Sequence, residues 1–284
     1  MSERALFGVL LLPTDRSPPP HVLAREVEAR GFDMLFVPEN SHVPVRRAKG
    51  WPHAEPLGDP LSRLYDPFVA LSAAAIVTER LLLGFAVCLL THRDPINTAK
   101  AVASLDRLSN GRVVLGIAGG ALDEAMRNHG SAFQARWRIV RDRTLAMRAI
   151  WSTDVAEYHG DYVDFDPMRC YPKPVQRGGP PVWIGSNSKW VPGRVADYAD
   201  GWMVHHGRYQ GNAARDLRAA CARRERDFAA ITLALMDAPR DRGAIEAHRD
   251  EGYVRFVFTV APSDEGPWRE LDALARLAEQ GRRG

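Results

Sequence analysis

The sequence predicts an α/β fold: a (β/α)8 TIM barrel with loop insertions at its C-terminal face, built as a single domain over residues 1–284. Three observations predict it. Short apolar runs rich in β-branched residues alternate with segments of helical spacing, and the alternation repeats eight times. A length of 284 residues suits eight such units and buries a large core. No low-complexity stretch or evident linker divides the chain.

Leu6–Leu12, an apolar run stopped by Pro13, is the first strand, and the helix around His21–Arg30 is closed by Gly31. Met34-Leu35-Phe36-Val37 is the second strand. Segment 41–65, rich in proline, glycine and charge, is too long for a plain connector and reads as a functional loop over one end of the sheet. Asp66-Pro67 then opens a helix with a cap and a proline. Leu81–Leu90 is the third strand, and its Gly84 and Ala86 point to close backbone approach.

The fourth unit is the most legible. Asp94 caps a helix, Pro95 suits its first turn, and Ile96, Ala99, Ala103 and Leu108 recur at helical spacing. Asn110-Gly111 supplies a left-handed stop, Arg112–Ala118 is the strand, and Gly119-Gly120 opens toward the next helix. Trp137, Val140, Thr144, Met147 and Trp151 mark a long helix whose aromatic stripe reads as core, with arginines on its other faces. Segment 157–179 is an insertion with a hairpin near Glu157–Val163. Strands five to eight are Pro181–Ile184, Gly201–His206, Ile231–Met236 and Tyr253–Val260. Helices run through Arg194–Tyr198, Asn212–Phe228, Arg242–Arg249 and Pro267–Gln280.

Composition excludes several classes. The net charge is +3, and the basic residues are spread along the chain with no cluster, which argues against nucleic acid as a partner. Cys88, Cys170 and Cys221 are odd in number and far apart, so neither a disulfide framework nor a zinc site is expected. No charged-then-apolar leader is present, and Leu81–Leu90 is too short to span a bilayer. A cytoplasmic protein without a membrane partner is expected.

Reactive groups in such a barrel sit at the C-terminal ends of the strands. The four lysines (Lys49, Lys100, Lys173, Lys189) all lie elsewhere, which excludes a Schiff-base aldolase. The first strand carries no His-X-His pair, and adjacent His205 and His206 should face opposite sides, so no metal site is expected. Gly119-Gly120 and Gly185-Ser186 are better signals. Each can present backbone N–H groups to a phosphate at a helix start, and each serves equally as a tight turn.

Leu105-Asp106-Arg107-Leu108-Ser109-Asn110-Gly111-Arg112-Val113-Val114-Leu115-Gly116 resembles the helix-to-strand segment of the luciferase-like flavin and deazaflavin oxidoreductases. Gly31–Glu39, Asp66–Leu71, Tyr171–Gln176 and Ala199–Met203 add to the resemblance, which spans about residues 5–210 and is closest to the bacterial branch dependent on the deazaflavin coenzyme F420. The resemblance implies an oxidoreductase with a reduced flavin or deazaflavin across the barrel mouth. Its ring would rest on Ala86-Val87, where a cis peptide and a bulge in the third strand are expected. Ala118, Gly119, Gly120, Gly185, Ser186 and Asn187 would contact the phosphate and ribityl chain, with Glu124 at the next helix start. A homodimer is the family habit.

This chain departs from the sugar-phosphate dehydrogenases of that family. They carry a histidine directly after the acidic residue ending strand two, where this chain has Asn40 and then His42 two places on. Their glutamate in the fourth-strand loop is Gly120 here. Any proton donor is therefore expected among Glu39, His42 and His92. Three functions follow. The first is hydride transfer between F420 and a small organic substrate. The second is an FMN-dependent monooxygenase supplied by a separate reductase, and the third a cofactor-binding protein without catalysis. A phosphosugar isomerase would also use phosphate loops. Trp51, Tyr65 and Tyr171 suggest an apolar or planar substrate.

Overall fold

The computed structural model describes residues 4–45 and 59–282; Trp51, Lys49 and most of the 41–65 loop lie outside them. Strands β1 (Leu6–Leu10), β2 (Met34–Val37), β3 (Leu82–Phe85), β4 (Cys88–Leu89), β5 (Val113–Ala118), β8 (Val182–Gly185), β9 (Gly201–His205), β10 (Thr232–Met236) and β11 (Arg255–Thr259) form one parallel sheet. Pairing of β1 with β11 and of β3 with β5 (Leu83 opposite Val113) closes it. β3 and β4 are two halves of one barrel position, so the closed wall has eight strand positions. The pair β6 (Ala156–His159) and β7 (Asp164–Met168) is a separate antiparallel hairpin inside the expected insertion.

The helices alternate with the strands: α1 (Pro20–Ala29), α2 (Pro67–Val77), α3 (Pro95–Leu108), α4 (Asp123–Asn128), α5 (Arg136–Ser152), α6 (Val191–Tyr198), α7 (Ala213–Ala222), α8 (Arg242–Asp250) and α9 (Trp268–Arg282). The expected caps form: Asp66 accepts from the N–H groups of Phe68 and Val69, and Asp94 from that of Asn97. Side chains of one strand parity, among them Met34, Phe36, Val114, Trp183, Met203 and Met236, fill the barrel interior. The other parity packs the helices through Phe7, Leu35, Leu115, Ile184 and Leu235.

The third strand runs as β3 and β4, interrupted at Ala86-Val87 where a bulge was expected, and the peptide there is cis as expected. Three expectations are corrected. The close backbone approach is made by Gly116, where a Cβ would lie 2.0 Å from the Phe85 carbonyl oxygen, whereas Gly84 gives way to the Phe36 ring. The helix expected over Asn212–Phe228 stops at Ala222, because Glu225 adopts φ +53° and the chain turns back, Arg226 N–H donating to the Cys221 carbonyl. Leu108 is 55% exposed; Val102 and Leu105 supply the buried face of α3.

The segment that carries the resemblance is a structural clasp. Buried Asp106 accepts from the N–H groups of Val175 and Gln176 and from the Gln176 side chain, tying α3 to the segment after the hairpin. Arg112 donates to the carbonyls of Ala75, Thr78, Leu81 and Ser109, closing the end of α2 against β3 and β5. Each pairing satisfies buried groups that would otherwise be costly.

Candidate functional site

A cavity of about 840 Å3 opens over the ends of β4, β5 and β8. Val87, Ala118, Gly119, Gly120, Gly185 and Ser186, six of the expected cofactor contacts, line it. Gly120 has φ +73°, a conformation side chains rarely adopt, and a Cβ on Gly185 would sit 2.4 Å from Val87 Cγ1. Both glycines thus keep the wall at backbone depth. Ala86 is partly buried against the barrel interior beside Val87. Asn187 is turned away, its side chain accepting from His205 N–H at 3.0 Å. Glu124 lies in the first turn of α4, outside the lining.

The remaining lining comes from two helix starts and is cationic. Phe133, Gln134, Arg136, Trp137 and Arg138 lead into α5, and Ser188, Trp190 and Arg194 belong to the start of α6. Neither helix has a side-chain N-cap, in contrast to α2, α3, α7 and α8. The leading N–H groups are taken by the preceding turns, that of Arg136 donating to the Phe133 carbonyl and that of Val191 to the Ser188 carbonyl, and the positive dipole ends of both helices border the cavity. The Arg136 guanidinium stacks on Phe133 at 3.9 Å, Arg138 on Tyr162 at 5.7 Å and Arg194 on Trp137 at 4.3 Å. Burial pushes the Arg194 pKa down against the opposing pull of Tyr198, with a smaller downward push from the charge of Arg136. Among the described residues no Asp or Glu lines the cavity, and no carboxylate pairs with these three arginines. Sequence reasoning missed them because arginines on a helix surface read as solvated; the signal was Arg136-Trp137-Arg138 at a helix start.

The three expected proton donors are placed differently. Glu39 is 6% exposed and accepts from Leu89 N–H at 2.6 Å and from Arg93 Nε at 2.5 Å. Burial raises its pKa against the pull of Arg93, which also bonds Asp66 at 2.6 Å. Glu39 thus anchors β4 to the end of β2. His92 follows β4 on a turn fixed from several sides. Arg143 donates to the carbonyls of Leu90 and Arg93, and Ser131 to that of Thr91. Its ring stacks on His129 at 4.4 Å, and both ring nitrogens are buried without partners. Burial, then the charges of His129, His42, Arg93 and Arg143, lower its pKa to about 4.

His42 lies in a hydrogen-bonded chain. Asn128 Nδ2 is 2.8 Å from His42 Nε2, and Ser41 Oγ joins His42 Nδ1 (3.0 Å) to His129 Nε2 (2.8 Å). His129 comes from the end of α4, 87 positions from His42, so nothing in the sequence announced the pairing. His205 and His206 do face opposite ways. The His205 side chain has the interior parity of Met203, while His206 Nδ1 meets His248 Nε2 at 3.3 Å outside the barrel. Among the described residues no group of three or more His, Cys, Asp or Glu could hold a metal ion, and no helix is long and apolar enough to cross a membrane.

A closed parallel barrel with a cavity at its mouth, lined by glycine turns and cationic helix starts, is an α/β barrel of the kind that carries its site at the C-terminal strand ends. Among such barrels, the chain belongs to the luciferase-like monooxygenase family, whose pattern it matches over residues 21–240. An uncharacterised protein of Mycobacterium tuberculosis (strain ATCC 25618 / H37Rv) is 39% identical over 206 residues, 70% of this chain and 71% of that one. The FMNH2-dependent dimethylsulfone monooxygenase of Pseudomonas putida is 24% identical over 221 residues, 70% of this chain and 60% of that protein. Among solved structures, the coenzyme F420-dependent tetrahydromethanopterin reductase of Methanopyrus kandleri superposes with TM-score 0.75 at 15% identity, covering 96% of this chain and 98% of the other. A monooxygenase from Streptomyces bottropensis gives TM-score 0.75 at 17% identity, with 96% and 98% covered. Family members and structural neighbours thus include both F420- and FMN-dependent oxidoreductases.

Proposed function

We propose that this protein is an oxidoreductase transferring a hydride between the deazaflavin coenzyme F420 and a small organic substrate. One observation carries the reading: an acid-free cavity where two uncapped helix starts, three arginines and the Gly119-Gly120 and Gly185-Ser186 turns converge. Such a wall suits a cofactor with several negative charges. Ala118, Gly119, Gly120, Gly185 and Ser186 would hold the ribityl phosphate, and Val87 with Ala86 would back the ring. A bound deazaflavin supplies a hydride-carrying carbon; the protein positions the substrate, excludes water and handles one proton. Glu39 is engaged with Leu89 and Arg93, so proton handling falls to His42, exchanging through Ser41 with His129. His92, neutral down to about pH 4, packs behind them.

The dimethylsulfone monooxygenase relative favours a second reading, an FMN-dependent monooxygenase fed by a separate reductase. A cytoplasmic homodimer completes the proposal. Titrating the protein with reduced F420 and with reduced FMN, followed by fluorescence quenching, tests it. Preferential F420 binding is expected; tight FMN binding with none to F420 would overturn it.

A further inference from the structure

A second cavity, of about 290 Å3, opens on the outer side of the barrel wall between the β9–α7 connection and the end of α8. Val204, Leu235 and Ala213 give it apolar walls, and His206, His248 and Tyr253 bring polar atoms to it. Both histidines sit on fixed backbone. His206 N–H donates to the Met236 carbonyl, and the His248 carbonyl, in the last turn of α8, accepts from Tyr253 N–H. His248 Nδ1 lies 3.0 Å from the Glu251 carboxylate. With Nδ1 donating its proton to that carboxylate, Nε2 presents a lone pair. It faces His206 Nδ1 at 3.3 Å, with ring planes at 89° and centroids 5.2 Å apart. Tyr253, 5% exposed, packs edge-to-face with His248, and its hydroxyl has no hydrogen-bond partner among the described residues.

We propose that His206 Nδ1 and His248 Nε2 bind a zinc ion, with water completing its tetrahedron. A separation of 3.3 Å is long for a hydrogen bond between two nitrogens. It is the separation of two ligands on one tetrahedral zinc, about 3.3–3.4 Å for zinc–nitrogen bonds of about 2.0–2.1 Å. The ring centroids are closer than a head-on meeting at that nitrogen separation would put them, so the ring axes meet at an angle, as they do around a shared ion. Glu251 supplies what a zinc-bound imidazole needs behind it, a carboxylate on the other nitrogen that fixes the tautomer and raises its basicity. The Tyr253 hydroxyl, lining the same cavity, is free to bond a water on the ion. No third His, Cys, Asp or Glu among the described residues completes the set, so the ion exchanges and is not locked in as in a closed structural site. Once bound, it ties the β9–α7 connection to the end of α8. The site does not depend on the cofactor reading, since none of its residues lines the barrel-mouth cavity.

The test strips the full-length protein with a chelator, dialyses it and titrates it with zinc chloride by calorimetry. Zinc binding is expected in the wild type, weakened at least about tenfold in H206A and in H248A and about tenfold in E251Q, the scale for a carboxylate behind a ligating histidine. At about tenfold excess over Kd, zinc should raise the wild-type melting midpoint by a few degrees and leave that of the H206A/H248A double variant where it was. Zinc should also slow the modification of His206 and His248 by diethyl pyrocarbonate, read by mass spectrometry, but not that of His21 on α1. Circular dichroism melts without zinc show whether each variant is folded. H206Q, which keeps much of the side-chain volume, replaces H206A if that variant unfolds and is expected to lose zinc equally. A wild-type protein that takes up no zinc would overturn the proposal. Binding that persists at wild-type affinity in the double variant, or zinc that leaves His206 and His248 unprotected, would place the ion elsewhere and overturn it as well.

Discussion

The buried Glu39 carboxylate accepts the Leu89 N–H at 2.6 Å, so the outer half of a broken barrel strand hangs on a side chain from the neighbouring strand position. Strand parity explains why. Glu39 follows Leu35 and Val37, which face the helices, so its side chain points away from the barrel interior into the space beside Cys88 and Arg93. An acid at a strand end in the sequence is catalytic in appearance; in the fold it replaces a missing sheet hydrogen bond.

Glu39→Leu is therefore expected to destabilise the protein by about 3 kcal/mol, the scale for stripping one partner from a largely buried charged pair. Glu39→Gln, which can still accept from Leu89, should cost less. Urea unfolding of both variants measures this, and a Glu39→Leu protein as stable as wild type would show that β4 does not depend on this carboxylate.

Gly185→Ala tests the glycine wall. Its Cβ would meet Val87 Cγ1 at 2.4 Å, so either Val87 or the β8 end must move. A loss of about 1–3 kcal/mol is expected from overpacking, together with a rise in cofactor Kd of at least about tenfold because Val87 and Gly185 both line the cavity. Thermal melts and the quenching titration separate the two effects. A variant that melts lower yet binds F420 as wild type would show that the wall does not touch the cofactor.

His92 couples stability to pH. Its pKa falls from 6.5 to about 4 on folding, so between those values the unfolded chain binds the proton and the fold does not. Stability is then full above about pH 6.5, declines as the pH falls toward 4 and levels off below. The window is worth on the order of 3 kcal/mol at most. His129 and His205, whose pKa values burial also lowers, act in the same direction. His92→Leu should flatten much of the slope in urea midpoints measured from pH 4 to 7.5; an unchanged slope would place the titration elsewhere.

The repeating unit was legible in the sequence because hydrophobic period, caps and glycine stops all act locally. Asp66, Asp94 and Asn110-Gly111 do what their types suggest. The features that escaped it depend on distant partners or on rare conformations. The end of α7 at Ala222 turns on a non-glycine residue, Glu225, in a left-handed conformation, which no propensity favours. His129 joins His42 only through the fold, and Arg194 reaches Trp137 across two barrel units. Gly119, Gly120, Gly185 and Ser186, which line the cavity, were legible as strand-end turns because such turns carry their geometry with them.

Helix α2 offers the last prediction. Ten of the eleven residues Pro67–Val77 are apolar, Ser72 being the exception, so the helix has no polar face to give to water. Val69 and Ile76, two turns apart on one side, are 63% and 73% exposed. Single exposed aliphatics are ordinary, but a helix apolar all round is usually covered. The proposed homodimer would cover it with the same helix of a second copy, as a two-fold interface requires. Val69→Lys combined with Ile76→Lys is then expected to convert a dimer to a monomer in sedimentation velocity. The change in monomer stability should stay within about 0.5 kcal/mol, since both sites are exposed. A wild-type protein that sediments as a monomer at the concentrations used would refute the dimer. A dimer that survives both lysines would move the interface off α2.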